Sequence, residues 1–277
     1  MSIQKETLME TKIKNEIRSI KVLDFSVLVW FVTVVLGQMI FAYYILFLYG
    51  KAGLQGNFEH WNAVTPHGHL ANDVLGNVIF GMHVMLAAII TIGGPLQIIP
   101  NVRNWLPTFH RISGRVYVTA AFVISMAGFY LTWVRGSVGG IEGAIFISIN
   151  GLIIMTCAFF AIRYALAKKF DIHYRWALRL FLAMSGVYFF RVGMMFWLAI
   201  HQAPVGFDPE TFRGPFLVVL YMVTYVLPLA FLELYFRAKR SQKKYPKWAY
   251  SLFLFVLTGG VAVGIFSATF GMWLPRL

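Results

Sequence analysis

Seven long apolar stretches dominate the chain: residues 24–49, 74–99, 114–133, 143–166, 176–200, 215–236 and 248–274. A helix rises 1.5 Å per residue, so about 20 apolar residues cross the ~30 Å hydrocarbon core of a bilayer. A closed barrel needs alternating segments of about ten residues, and none of these stretches alternates. The sequence therefore predicts an all-α integral membrane protein of seven transmembrane helices, read as one membrane domain over residues 1–277. The first stretch is too long for a signal-peptide core and reads as a retained anchor. Composition agrees. Of 277 residues, 59% are hydrophobic and 13% are charged, where soluble domains carry about 25% charged residues. A disordered chain and a disulfide-framed secreted domain are excluded, and an ordinary soluble enzyme is disfavoured. The single cysteine, Cys157, lies inside an apolar run, so neither an internal disulfide nor a thiolate zinc site is available.

The net charge is +13. On a soluble chain this would suggest nucleic acid, but the positions of the charges point elsewhere. Nineteen of the 24 basic residues fall on one side of the seven-span reading. They run from Lys5 to Lys21 in the N-terminal tail, from Arg103 to Arg115 after span two, from Arg163 to Arg179 after span four, and from Arg237 to Lys247 after span six. Lys51, Arg135, Arg213 and Arg276 fall on the other side, and Arg191 lies inside a span. Cytoplasmic loops hold the excess of Lys and Arg, so the sequence predicts an inner-membrane protein with a cytoplasmic N-terminus and an outer C-terminus. The same charges suit anionic lipid headgroups, and no nucleic-acid function is needed.

Two groups of polar residues stand out within this frame. His110 and His173 both sit at the cytoplasmic mouths of spans that run in the same direction, spans three and five. Two neutral imidazoles facing across a helix bundle are what a six-coordinate haem iron takes as ligands. Arg111, Arg115, Arg175 and Arg179 lie beside them, and guanidinium forks pair with propionate carboxylates. The alternative is a headgroup layer in which His and Arg bind lipid phosphates. The paired pattern also suggests that spans two–three and four–five are two copies of one hairpin forming a four-helix core.

The second group lies deeper. His83 is nine residues below Val74 and Arg191 nine residues before Ile200, each about 13 Å from the outer surface. Asn150 is about 10 Å below the outer end of span four. Three helices thus place polar groups in one layer of the outer leaflet. An intramembrane Arg costs at least about 2.5–3.5 kcal/mol on insertion scales and usually faces the bundle interior with a partner. Glu142 and Asp73 are candidate protein partners, and a cofactor propionate or anionic substrate is the sharper one. A structural Arg snorkelling to the outer surface is the plainer alternative.

Three further features are weaker. Pro95, in Gly93-Gly94-Pro95-Leu96-Gln97, predicts a kink in span two. The outer loop carries Glu59, His60, His67, His69 and Asp73, a set that can bind copper or zinc but has no regular spacing. No phosphate-binding glycine loop, nucleophile elbow or zinc-protease helix occurs.

The segments Met82-His83, Gly93 to Gln97, Phe109-His110-Arg111-Ile112-Ser113-Gly114-Arg115-Val116-Tyr117 and His173-Tyr174-Arg175-Trp176-Ala177-Leu178-Arg179 together resemble the bacterial membrane-protein family known as domain of unknown function 2306. The resemblance covers residues 78–200, the four-helix core of spans two to five. That pattern is similar to the two-haem transmembrane cytochromes b, in which core helices two and four hold one haem and three and five the other. The resemblance implies His110 and His173 as axial ligands of a haem b near the cytoplasmic face, and His83 at the second core position. Span four has no histidine, so it implies one bis-histidine haem. The expected function is transmembrane electron transfer of cytochrome b type, a membrane oxidoreductase linked to a quinone or another redox partner. A haem-free transporter or small-molecule sensor built around His83, Asn150 and Arg191 is the alternative, and a purely structural membrane subunit is a third.

Overall fold

The computed structural model describes residues 2–136 and 139–277, with side chains from Lys14 onward, so Lys5 and Lys12 of the basic tail lie outside the described side chains. The protein is all-α. Among the described residues the only extended pairing is an isolated antiparallel bridge between Asp208 and Arg213.

Helix α1 (Ser2–Ile45) continues through a π-turn (Leu46–Gly50) into the short α2 (Lys51–Leu54). A connection follows that holds one 3-10 turn (Phe58–Ala63). Then come α3 (Val74–Ile98), the short α4 (Pro100–Trp105), α5 (Pro107–Trp133) and α6 (Gly140–Leu166). Helices α7 (Phe170–Met184) and α8 (Gly186–His201) meet at Ser185, and α9 (Pro215–Tyr225) and α10 (Leu227–Arg240) meet at Val226. Helix α11 (Lys244–Ala268) is the last long one. Among the described residues, six helical segments are long and apolar enough to cross a membrane. A seventh results if α7 and α8, bent by 48° at their junction, form one broken span.

Hydropathy places the span from Val74, the end at Leu166 and the start at Pro215 within a residue of the helices, while other helices run past its edges. Helix α5 begins at Pro107 rather than Gly114, because proline is at home in a first turn and polar His110 and Arg111 continue the helix into the headgroup layer. Helix α3 passes through Pro95 and ends one turn later at Ile98. Backbone hydrogen bonding must be satisfied internally in lipid, which favours unbroken helices over the whole apolar run.

Each helix is apolar on two faces. In α1, Val34, Gln38, Phe41, Ala42 and Ile45 are buried, at the i, i+4, i+7 spacing of one stripe, while Leu28, Leu36 and Tyr43 on other faces are exposed. A soluble helix would turn charge outward there; this one turns hydrocarbon outward, toward lipid. Helix α3 packs on α5, α5 on α6 and α6 on α7, with α3 also touching α7. Helix α1 lies along α11 and α3, and α11 lies against α8. The last contact is close: a Cβ on Gly264 would stand 2.5 Å from the Val192 carbonyl oxygen. Small residues at such crossings let backbones approach where no hydrophobic driving force acts between helices.

The connection before α3 is folded onto the bundle. The Trp61 indole donates to the Tyr49 carbonyl at 3.1 Å. Asn62 exchanges two hydrogen bonds with the His69 backbone, at 2.8 and 2.9 Å, and Asn77 does the same with Leu70, at 2.7 and 2.9 Å. Both asparagines act as stand-in backbone partners for a segment that has no strand to pair with. At the opposite, basic end, Arg179 donates to Glu233 through Nε at 3.0 Å and through Nη2, and Lys239 pairs with Asp24 at 3.5 Å. These contacts tie α7 to α10 and α10 to α1.

Candidate functional site

A cavity of 380 Å³ lies in the half of the bundle nearest the folded connection. Its walls come from α1, α3, α5, α6, α7, α8 and α9, with Thr65, Pro66 and His67 of the connection at its mouth. Aromatic rings are prominent in the wall, among them Phe41, Tyr44, Tyr188, Phe190, Tyr221 and Tyr225. His83, Asn150 and Arg191 all line it, so residues from three helices meet in one space.

His83 is packed against α5, where a Cβ on Gly128 would stand 3.5 Å from its Cε1. Its Nδ1 is buried with no partner among the described residues. Asn150 is 5% exposed, and its Oδ1 is likewise buried without a partner. Gln38, 2% exposed, gives its amide NH₂ to the Ser185 hydroxyl at 2.9 Å and keeps Oε1 unpartnered on the same cavity. A buried polar atom left without a partner costs about 1–3 kcal/mol. All three lie on this one cavity wall.

Arg191 is half-buried. Its guanidinium stacks 5.4 Å from the centre of the Phe41 ring and reaches only the Val187 carbonyl of its own helix, at 3.5 Å. No carboxylate among the described residues lies within ion-pair distance of it. Glu142, one candidate partner, is exposed, and Asp73, the other, serves Arg135. Arg191 remains within electrostatic reach of His83, Tyr44, Tyr221 and Tyr225.

Arg135 and Gln38 are site residues that the sequence reading missed. Arg135, placed by the sequence only among the basic residues of the outer side, has a side chain 3% exposed that lines the cavity mouth. Its Nε stands 3.3 Å from Asp73 Oδ2, its Nη2 donates to Asn77 Oδ1 at 3.0 Å, and its Nη1 is buried without a partner among the described residues. Asp73 also caps α3 by accepting from the Gly76 amide at 2.8 Å. Gln38 had a sequence signal, a lone amide inside an apolar span, of the same kind that drew attention to Asn150.

At the basic end, His110 and His173 lie within electrostatic reach of each other. His173 Nδ1 is hydrogen-bonded to the Ala161 carbonyl at 2.9 Å, and His110 Nδ1 is buried with no partner among the described residues. A ring held through Nδ1–H to a carbonyl presents Nε2 as a free ligand nitrogen, which is how metal-bound imidazoles are usually oriented. His173 fits axial ligation in that respect, and His110 has no such carbonyl partner among the described residues. The arginines do not assemble around it as propionate anchors. Arg179 is paired with Glu233 and stacked on Trp176, and Arg175 lies 3.9 Å from Glu233 and over Phe236. Arg111 and Arg115 are exposed. Glu233 is the only carboxylate in its apolar span, a signal the sequence reading passed over.

No group of three or more His, Cys, Asp or Glu able to hold a metal ion occurs among the described residues. His69 stacks on Phe58 with its backbone held by Asn62, while His67, at φ 62°, turns toward the cavity mouth.

A family model described as "Predicted membrane protein (DUF2306)" matches residues 80–236. The match runs past the 78–200 core expected from the motifs and takes in α9 and most of α10, which carry Tyr221, Tyr225 and Glu233. No curated protein and no solved structure matches the chain.

Proposed function

The chain belongs to the DUF2306 family of predicted membrane proteins, and from that premise we propose that its working site is the aromatic cavity around His83, Asn150 and Arg191, which binds a small amphipathic molecule within the outer leaflet. The carrying observation is the convergence of three unpartnered buried polar atoms and one guanidinium without a carboxylate on a single cavity. The orientation rests on the basic residues, which put the basic end in the cytoplasm and the cavity on the outer side. Intramembrane ionisable groups that face a cavity usually mark a substrate or ion site. Native mass spectrometry of the protein released from its own membranes tests this. A small molecule should travel with the wild type and be lost from His83→Leu and Arg191→Leu. The same bound species in all three, or none in any, would overturn the reading.

A second reading is favoured by the His173 Nδ1 bond to Ala161 and the buried, unpartnered His110. These two residues would hold a b-type haem, which supplies one-electron chemistry when bound. The cavity molecule would then be a redox carrier such as a quinone, and the protein a membrane electron-transfer component. A visible spectrum decides it. A Soret band that sharpens on dithionite addition, lost in His110→Ala and His173→Ala but kept in His60→Ala, supports the haem. A colourless protein from haem-replete cells removes it.

A further inference from the structure

We propose that the molecule bound in the cavity is a monoanionic amphiphile, a carboxylate on a ring-bearing or otherwise apolar body; this rests on the reading of the cavity as a ligand site. The argument is a charge balance. Two guanidiniums line the cavity, Arg191 and Arg135, and one carboxylate, Asp73, is paired with the second. Arginine does not give up its proton at any ordinary pH. The cavity therefore carries one positive charge without a protein counter-charge among the described residues. In a low-dielectric surrounding an uncompensated charge is costly, and a matching anion is correspondingly well held.

The size of the imbalance selects the class. One excess charge matches one carboxylate, whereas a phosphate monoester would bring nearly two. A bare inorganic anion does not account for the wall, where Phe41, Tyr188, Phe190 and Tyr221 present ring faces and edges. The planar guanidinium fork matches a carboxylate in shape, and Arg191 lies 5.4 Å from the centre of the Phe41 ring on the wall. Unpartnered Gln38 Oε1 and Asn150 Oδ1 add two acceptors that a hydroxyl or amide N–H on the ligand body would satisfy.

Three bicyclic probes of similar size separate charge from shape: 1-naphthaleneacetate, its methyl ester, and 2-methyl-1,4-naphthoquinone. Their binding to the full-length protein in zwitterionic nanodiscs is measured against empty nanodiscs, which corrects for partition into lipid. The carboxylate should bind at least tenfold more tightly than the ester. Arg191→Gln should erase that preference. Asp73→Asn, which keeps the cap acceptor for Gly76, should tighten carboxylate binding several-fold and leave the ester unchanged. Equal or tighter binding of the ester or the quinone, or a preference that survives Arg191→Gln, would overturn the anion while leaving the cavity a ligand site. Failure of all three probes to bind above the empty-nanodisc level would remove the ligand site and the anion with it.

Discussion

The Gln38 amide donates to the Ser185 hydroxyl at 2.9 Å, and that hydroxyl donates in turn to the Phe181 carbonyl at 2.7 Å. The pair links α1 to the junction of α7 and α8, 147 residues away in sequence. The junction needs such a link. A helix bent by 48° inside a membrane loses some of its own backbone pairing, and side chains from a neighbour re-satisfy part of it. Here the serine's own hydroxyl reaches the Phe181 carbonyl, and the Gln38 NH₂ donates to that hydroxyl while its Oε1 stays on the cavity wall, so one side chain touches both the bend and the site.

Ser185→Ala removes the acceptor and strands a buried amide. The expected loss is about 1–3 kcal/mol. Thermal unfolding in detergent should show it, and Gln38→Leu added to Ser185→Ala should recover part of the loss, because both partners are then apolar. A double variant that is additive would separate the two residues energetically.

Gly264→Ala forces a methyl group to within 2.5 Å of the Val192 carbonyl, an atom of the backbone that cannot rotate away. Helices α11 and α8 must move apart, at a cost typical of overpacking, about 1–3 kcal/mol. Gly259→Ala on the same helix meets nothing within 4 Å and should be neutral in the same unfolding assay. Equal stability of the two variants would contradict the packing.

Orientation follows from basic residues alone. A reporter fused after Leu277 should be active only outside the cytoplasm, and one inserted at Ser241, between α10 and α11, only inside. The reverse pattern would move the cavity to the inner leaflet.

The connection between α8 and α9 carries a pH-sensitive turn. Asp208 accepts from the Thr211 hydroxyl at 2.8 Å and from the Glu210 amide at 2.9 Å, and these bonds hold its carboxyl below the ordinary carboxylate value. A depressed folded pKa means that the turn's stabilisation is complete above the unfolded value, about 3.9 for Asp, and fades as pH falls through the lower folded value. The Glu210 amide resonance should therefore stay constant above about pH 5 and move only below about pH 4. Asp208→Asn should remove the transition; a midpoint above that of a free Asp would reverse the sign.

The helices and the buried polar layer were readable because each is a local deviation from a strong background. A charge or amide inside hydrocarbon is conspicuous in one dimension, as with His83, Asn150 and Arg191. The bend at Ser185 escapes a proline-based reading: its local signal is the Ser185-Gly186 pair, and its partner Gln38 lies in another helix. Arg135 was misjudged for a related reason. It follows the end of an apolar stretch, where sequence predicts exposure, but the folded connection with Asp73 and Asn77 covers it. Arg175 and Arg179 were read as propionate anchors by adjacency to His173, whereas the structure pairs Arg179 with a carboxylate 54 residues away. Pairings at that separation are set by how helices pack, which spacing along the chain does not encode.

The two asparagine clasps, at Asn62 and Asn77, bear on how fast the cavity fills. They fix the segment carrying Thr65, Pro66 and His67 before any molecule arrives, so the ordering entropy of that rim is already spent during folding. Association should then rise linearly with ligand concentration, without the plateau that a slow rim closure would impose, and the residence time should be governed by how readily the molecule leaves past a rim that does not swing aside.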